Sequence, residues 1–412
     1  MTDRTAENAP SEQVEYVETV VEYVDNRRQR ALLGIVFVIL FLLLIGVAYA
    51  VMQITKPKGA PGKSAGANGM TWVRSIYGWG PGIDKALKAP TDVAIAPNGT
   101  IWTISQHHYI VGFNPDGSVR KVISPKVGLS LEGIDVAENG DLFVTDFGGQ
   151  LIQFHPDGQV VTTWQVQLPN EVDVRGDKIA VAGANGIAVF TPDDKVLLKL
   201  GTRGQGKNQF DLPHGILIGP EGNVYVSDTQ NQRVRAFSAS GREMWTNGTS
   251  PDRSKGNDVR DTKKIQTFEL PAGLAMDGRG RLVVIDPFKF QIIVLDAKTG
   301  KQWRAGNKPK GKLAVFGEMG MEESQFTYPT GIAYDRTRDW FAVADTGNNR
   351  IQIVRIPESG GMPGSHLIGA FRAPMLVFLI PWLLLLIPIG LQLTRRKRER
   401  ELAAADADKS AA

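Results

Sequence analysis

The side chains that could do chemistry in this chain are its histidines, its carboxylates and its clustered basic residues. The sequence has five histidines and no cysteine, which excludes thiol catalysis, cysteine zinc sites and disulfides. The histidines are His107, His108, His155, His214 and His366. No convincing nucleophile, phosphate-binding loop or glycine-rich nucleotide fingerprint accompanies them. What these residues can do therefore depends on the elements that position them.

The chain between residues 71 and 356 repeats itself six times. Each unit has a short anchor, usually with proline, an alternating strand, a tight turn, a second strand that ends on a small or acidic residue, and further strands. The equivalent apolar anchor residues are Val93, Ile134, Val172, Ile216, Leu274 and Ile332. Their spacings of 41, 38, 44, 58 and 58 residues are the size of a propeller blade. The sequence predicts an all-β fold, a six-bladed β-propeller.

Two of the units resemble NHL repeats. VSDTQNQRVRAF at 226–237 and VADTGNNRIQIV at 343–354 closely resemble the signature of that family, and the glycine-rich GTRGQGKNQFDLPHGI resembles its blade junction. Units one and three differ, because Ser105 and Gly183 stand where the signature has aspartate. The resemblance implies the propeller fold over roughly residues 70–356 and says much less about function.

The last unit has three strands, whereas TWVRSIYGWG at 71–80 precedes the first anchor as a fourth strand would. We predict that this N-terminal strand completes blade six and closes the ring. Thr71 and Arg355 would then be neighbours, and both chain ends would leave from one rim. The opposite rim would carry the longer connections, at 247–269 and 306–328.

Two uncharged apolar runs, 31–53 and 374–393, bracket the repeats. A helix of 23 residues reaches about 34 Å, enough to cross a bilayer. Five basic residues at 395–400 place the C-terminus in the cytoplasm, so two spans place the N-terminus there too and the propeller outside. A signal peptide cleaved near Ala50 is the open alternative.

Longer loops on a rigid scaffold often carry binding sites. We predict a binding surface on the rim away from the chain ends, formed by Arg203, Lys207, His214, Arg253, Lys263, Lys308 and Lys310. Its positive charge favours a protein or an anionic polymer outside the cytoplasm, with solvated loop charge as the alternative. Export argues against nucleic acid.

An enzyme would use the central channel. The propeller lyase that cleaves peptidyl hydroxyglycine is similar in fold and holds zinc through histidines from several blades, but here only His214 occupies an anchor. We predict no catalytic residue, metal or cofactor, with zinc or calcium as the less favoured alternative. Gluconolactonase-like and strictosidine-synthase-like propellers place a polar cluster in the channel, which Asp92, Glu132 and Glu171 would match; polar residues lining a wet pore are the alternative.

The second strands are predicted to end at Ser105, Asp146, Gly183, Asp228, Asp286 and Asp345. The aspartates among these residues are predicted to cap backbone amides of the following turn. Arg233 and Arg350, which recur in the NHL-like motifs, are predicted to brace their own blades.

The predicted organisation is a cytoplasmic acidic tail (1–30), a transmembrane helix (31–53), a linker (54–70), the propeller (71–356), a linker (357–373), a transmembrane helix (374–393) and a cytoplasmic basic tail (394–412). The predicted function is that of a membrane-anchored, extracytoplasmic binding, sensor or scaffold module. Its helix pair would contact the bilayer and a membrane-protein partner. A metal-dependent hydrolase or lyase, and a structural subunit of a larger membrane complex, are the alternatives.

Overall fold

The computed structural model describes residues 34–44, 69–127, 130–250, 267–307 and 311–361. The chain divides into two compact units, Met1–Lys63 and Ser64–Ala412. In the first, the described part is one α-helix, residues 34–44, with mostly exposed side chains. Within the described residues, no helix has both the length and the apolar character needed to cross a membrane. The second apolar run, 374–393, lies outside the described residues.

The second unit is a six-bladed β-propeller, as predicted, and each blade is a four-stranded antiparallel sheet. The first nine strands are β1 Thr71–Ile76, β2 Val93–Ile95, β3 Ile101–Ser105, β4 Tyr109–Phe113, β5 Val119–Ile123, β6 Leu131–Val136, β7 Leu142–Asp146, β8 Gln150–Phe154 and β9 Val160–Gln165. The next nine are β10 Pro169–Arg175, β11 Lys178–Gly183, β12 Gly186–Phe190, β13 Val196–Leu200, β14 Thr202–Arg203, β15 Gln209–Phe210, β16 Ile216–Ile218, β17 Val224–Asp228 and β18 Arg233–Phe237. The last eight are β19 Glu243–Gly248, β20 Leu274–Met276, β21 Arg281–Asp286, β22 Gln291–Asp296, β23 Val315–Phe316, β24 Pro329–Asp335, β25 Trp340–Asp345 and β26 Arg350–Arg355.

Blade six is completed by the N-terminal strand, which confirms the predicted closure. Its strand order is β1-β26-β25-β24, and Thr71 lies opposite Arg355 in the antiparallel pair. We call the rim that holds Thr71 and Arg355 the terminal rim, and the opposite one the distal rim. The connections between second and third strands, and those between blades, all lie on the distal rim.

The core consists of six apolar layers, one between each pair of neighbouring blades. Inner strands are covered on both faces, so β3 and β17 are buried at every residue. Such strands need near-continuous apolar sequence rather than alternation. The fourth strands form the outer edge and are more exposed, most clearly in β5, β9 and β13. This burial pattern explains why the repeats have apolar second strands and polar fourth strands.

The fourth strand of blade five corrects one prediction. Gln302 already bridges to Leu295, and β23 resumes the pairing with β22 at Val315 and Phe316. The prediction that all of 306–328 connects two blades is therefore wrong, because its first part is an insertion within the fourth strand. The distal connection begins only at Gly317.

Side-chain and backbone hydrogen bonds join the six blades in a closed ring around the distal mouth of the channel. Each bond runs from one blade to a backbone carbonyl at the start of the first strand of the next blade, at donor–acceptor distances between 2.6 and 3.0 Å. The bonds are Thr91 to Glu132 O, Thr145 to Asn170 O, Asn170 to Pro213 O, Thr229 to Pro271 O, Gly273 N to Thr330 O, Thr330 to Thr91 O and Thr346 to Pro90 O. The mouth is therefore a rigid frame.

Candidate functional site

The second-strand aspartates are structural, as expected, but the backbone amides that they cap lie mainly before the first strand of their own blade and not in the following turn. Asp345 accepts a hydrogen bond from the Thr327 amide at 2.8 Å and from Arg350 Nε at 2.8 Å. Arg233 donates to Asp228 in the same way at 2.7 Å. These aspartates chiefly fix the segment that leads into the first strand of their own blade. Asp286 does so by accepting from the Glu269 amide, and it also accepts from the Phe288 and Lys289 amides of the turn that follows it.

One histidine–glutamate pair lies at the mouth between blades one and two. His107 Nδ1 is 3.1 Å from Glu132 Oε1. Burial raises the pKa of Glu132, and the charge of His107 partly opposes that effect. Glu132 thus belongs to the mouth, as predicted, but it pairs with His107 rather than with the other two predicted carboxyls.

A second pair lies between blades three and four. His214 Nδ1 is 3.9 Å from Glu171 Oε2, too far for a hydrogen bond. Burial lowers the pKa of His214 to about 4, so the imidazole is neutral at physiological pH. Neither Nδ1 of His214 nor Oε2 of Glu171 has a hydrogen-bond donor or acceptor partner in the described structure, although both atoms are buried.

The carboxyl groups of Asp92 and Glu171 meet within hydrogen-bonding distance across the channel wall. Burial raises the pKa of Asp92 to about 6. The pKa of Glu171 rises well above its usual range, first through burial and then through the charge of Asp92. Two buried carboxyls this close share a proton, because ionising both would place two negative charges side by side in a buried site. The structure thus brings together two of the three predicted channel carboxyls.

Sequence reasoning missed two further channel acids. Asp135 and Asp173 each follow an anchor residue directly, and burial raises the pKa of Asp135 well above its usual range and that of Asp173 to about 7. Asp135 accepts from the Val174 amide at 2.7 Å and Asp173 from the Ile218 amide at 2.8 Å, each in the next blade. The repeated anchor-plus-aspartate pattern is the signal that could have identified them.

The central channel contains a cavity of about 190 Å³ with two unlike walls. Blades one to three contribute all four acids of the lining, together with one basic and five apolar residues. The acids are Asp92, Asp135, Glu171 and Asp173, and the others are Arg175, Val93, Ala94, Ile95, Ile134 and Val172. Blades four to six contribute mainly apolar side chains, namely Leu217, Leu274, Ala275, Met276, Ile332, Ala333 and Tyr334. One wall therefore suits a positive charge and the other an apolar group.

The three histidines His107, His214 and His155 lie in different places in the described propeller. His107 and His214 face different glutamates, and His155 lies on the terminal rim, where it bonds Asp141 at 2.7 Å. His366 lies outside the described residues. In the described ranges, no three or more histidine, aspartate or glutamate side chains form a group suited to a metal ion.

The predicted basic residues divide into two sets. Arg203 and Lys207 lie with His214 in the connection from blade three to blade four; Arg203 is exposed and lies 3.8 Å from Asp211. The backbone carbonyl of Lys207 accepts a hydrogen bond from Arg235. The others, Arg253, Lys263, Lys308 and Lys310, lie outside the described residues.

Exposed apolar side chains, which the sequence did not single out, are concentrated on the distal rim. Among the described residues of the propeller this rim exposes Tyr77, Ile83, Val127, Phe147, Leu168, Leu212, Phe288, Met319, Met321 and Tyr328. Met321 is 78% exposed and Ile83 is 83% exposed. The remaining exposed large apolar residues of the described propeller begin the fourth strands of blades one to three.

Three of these side chains are held by strained backbone. Leu168, Leu212 and Tyr328 each precede a proline and have positive φ angles of 43, 47 and 51°. A non-glycine residue in this region costs roughly 1–2 kcal/mol. The rigid hydrogen-bonded ring maintains that geometry and fixes the apolar side chains at the mouth.

Comparison with known families finds matches to the NHL repeat at residues 210–237 and 326–354. Among curated proteins, a probable peptidyl-alpha-hydroxyglycine alpha-amidating lyase of Caenorhabditis elegans is 23% identical over 208 residues, which cover 50% of this chain and 52% of that protein. The peptidylglycine alpha-amidating monooxygenase of Rattus norvegicus is 28% identical over 170 residues, covering 40% of this chain and 16% of that protein. The match thus spans about half of the first relative and a much smaller part of the second.

Solved structures with the same fold include an auxiliary nutrient binding protein from Bacteroides thetaiotaomicron, with a TM-score of 0.50 and 15% identity, covering 70% of this chain and 76% of that chain. A streptogramin B lyase has a TM-score of 0.49 and 12% identity, covering 70% of this chain and 98% of that chain. At such identities the likeness concerns the fold alone. This chain is therefore a six-bladed β-propeller that contains NHL repeats.

Proposed function

We propose that this protein is a membrane-anchored propeller that binds a protein partner through its distal rim. The observation that carries the proposal is the concentration of exposed apolar side chains on that rim. Exposed contiguous apolar surface is typical of interaction sites. The closed hydrogen-bonded ring supports the proposal, because a pre-organised surface loses little conformational entropy on binding.

The proposed topology has two spans, cytoplasmic termini and an extracytoplasmic propeller. Its support is the pair of apolar runs and the basic residues after the second one. Both ends of the propeller leave by the terminal rim, so anchoring there leaves the distal rim free. Because the chain has no cysteine, single cysteines at Ser240 and Ser410 report topology cleanly. A membrane-impermeant thiol reagent on intact cells is expected to label only the former; labelling of the latter alone would contradict this topology.

A photo-crosslinking residue tests the docking rim in the full chain. We compare Met321 on the distal rim with Val196, an exposed residue at the start of β13 on the other side. Crosslinking in native membranes is expected to give a discrete adduct from Met321 and none from Val196. Phe288→Asp is expected to weaken the adduct, because it places a charge among the exposed apolar side chains. Adducts from Val196 alone, or equal adducts from both positions, would overturn the proposal.

A lyase acting in the channel is the second candidate function. It is favoured by the relative named as an amidating lyase and by the shared-proton carboxyl pair beside His214. Incubating the full chain with a peptidyl-alpha-hydroxyglycine and measuring release of the peptide amide tests it. Release that His214→Ala and Glu171→Gln abolish would establish the lyase; no release above that of heat-denatured protein would exclude this substrate.

A further inference from the structure

Two hydrogen-bond acceptors face each other at the distal end of the channel without a donor between them. Glu171 is 5% exposed and its Oε2 atom has no hydrogen-bond partner. His214 Nδ1, 3.9 Å away, is also buried and unpartnered. With its proton on Nε2, the neutral imidazole presents a lone pair at Nδ1. Buried unpaired acceptors are costly, and a donor bound between them would satisfy both.

The channel cavity, which Glu171 helps to line, suits a donor that carries positive charge and an apolar body. The cavity measures about 190 Å³, and cavities of about 150 Å³ are large enough for a benzene ring. Its acidic wall continues from Glu171 to Asp92, whereas its opposite wall includes Leu274 and Ile332. Arg175, near the far end, is the one basic residue that lines the described cavity.

We propose that the distal end of the channel binds a small organic cation, a primary ammonium attached to an apolar group, in exchange for a proton. The ammonium N–H groups donate to Glu171 Oε2 and His214 Nδ1, each at about 2.8–2.9 Å. The apolar group lies against the wall formed by blades four to six. The proton shared by Asp92 and Glu171 leaves to solvent, so the charge of the site is balanced by the cation.

This exchange makes binding depend on pH. The charged or titratable groups around the Asp92–Glu171 pair come from four blades. They are His107 from blade one, Glu132 and Asp135 from blade two, Asp173 and Arg175 from blade three, and His214 from blade four. While the pair keeps its proton, release of one proton per cation raises the association constant about tenfold per pH unit.

Calorimetric titration of the full chain with benzylammonium tests the site. We expect saturable binding, an affinity that rises with pH between 6 and 8, and release of close to one proton, measured in two buffers with different ionisation enthalpies. Benzyl alcohol has the same shape without the charge and is expected not to bind. Glu171→Gln is expected to lower the affinity at least tenfold and to remove the pH dependence.

Glu138→Gln is the matched control, because Glu138 is an exposed residue of a terminal-rim turn and its loss should leave binding unchanged. Thermal melts of Glu171→Gln and Asp92→Asn show whether each variant is folded, and either folded variant suffices for the test. Equal binding of benzyl alcohol, affinity independent of pH, or unchanged binding by a folded Glu171→Gln would each overturn the proposal.

Cation binding at this site does not depend on partner docking at the rim. The Met321 crosslink is therefore expected to persist in Glu171→Gln. In the wild-type chain, a Met321 crosslink without benzylammonium binding would show that the cation proposal has failed, and benzylammonium binding without the crosslink would show that the docking proposal has failed.

Discussion

The buried acids of the channel predict that the propeller becomes less stable as the pH rises. Asp92 has a pKa of about 6 in the fold, raised from 3.8 mainly by burial. The folded chain therefore holds this proton at pH values where the unfolded chain has lost it. A raised carboxyl pKa contributes stability that is fully present below pH 3.8 and is lost as the pH rises through about 6.

The magnitude follows from the two pKa values. The difference between 3.8 and about 6, at about 1.4 kcal/mol per pH unit, corresponds to about 3 kcal/mol. The charge of Asp92 also contributes to the raised pKa of Glu171, so removing that charge acts in the same direction. Asp92→Asn keeps an oxygen that can accept from the Ile134 amide, a bond of 2.9 Å in the wild type, and cannot ionise.

The assay is urea unfolding of the full chain, followed by tryptophan fluorescence, at several pH values from 4.5 to 8. Asp92→Asn is expected to be more stable than the wild type by about 1 kcal/mol at pH 4.5 and by up to about 3 kcal/mol at pH 8, because the wild type loses stability between these pH values. Asp177→Asn, in an exposed turn, is the control and should follow the wild-type curve. A constant difference between Asp92→Asn and wild type across this range would refute the reasoning.

Three further predictions concern the fold. Deleting Thr71–Ile76 removes the fourth strand of blade six, so we expect the loss of the single cooperative urea transition; an unchanged transition would contradict the closure. Asp345→Ala leaves Arg350, which is 2% exposed, without its buried partner and is expected to cost about 3–5 kcal/mol, with less lost in Asp345→Asn. Phe326→Ala opens a cavity between blades five and six and should cost about 3–5 kcal/mol in the same assay; a loss below 1 kcal/mol would show that the layer repacks.

The repeat was predictable because its signals are local. Second strands were expected to end at Ser105, Asp146 and Asp228, and the structure ends β3, β7 and β17 at those residues. A tight turn and a short apolar strand fix such an end within about a dozen residues. Closure by β1 was also predictable, because the last unit lacked one strand and the first anchor was preceded by an unassigned one.

The channel was less predictable because its contacts join distant parts of the chain. Asp173 meets an amide 45 residues away, and no sequence pattern shows that an acid in a first strand will bond the next blade. The insertion in blade five was missed for a related reason, since Gln302 and Val315 pair with one strand from both sides of an irregular segment. Exposure of Met319 and Met321 likewise depends on what the folded rim leaves uncovered.

The carboxyls of the channel join structural and binding roles in the same side chains. The first strand of each blade lies at the channel and has no strand beyond it in its own sheet. One carboxyl oxygen of Asp92 and one of Asp135 each accept a hydrogen bond from a backbone amide in the first strand of the next blade. Glycines in adjacent blades leave the space that two of the channel acids occupy. A Cβ at Gly331 would lie 2.2 Å from Asp92 Oδ1, and one at Gly133 would lie 2.5 Å from Glu171 Oε1. A glycine directly before the anchor residue of one blade thus leaves room for an acidic side chain from another blade. The acids that hold blades one to four together consequently also give the channel its negative wall.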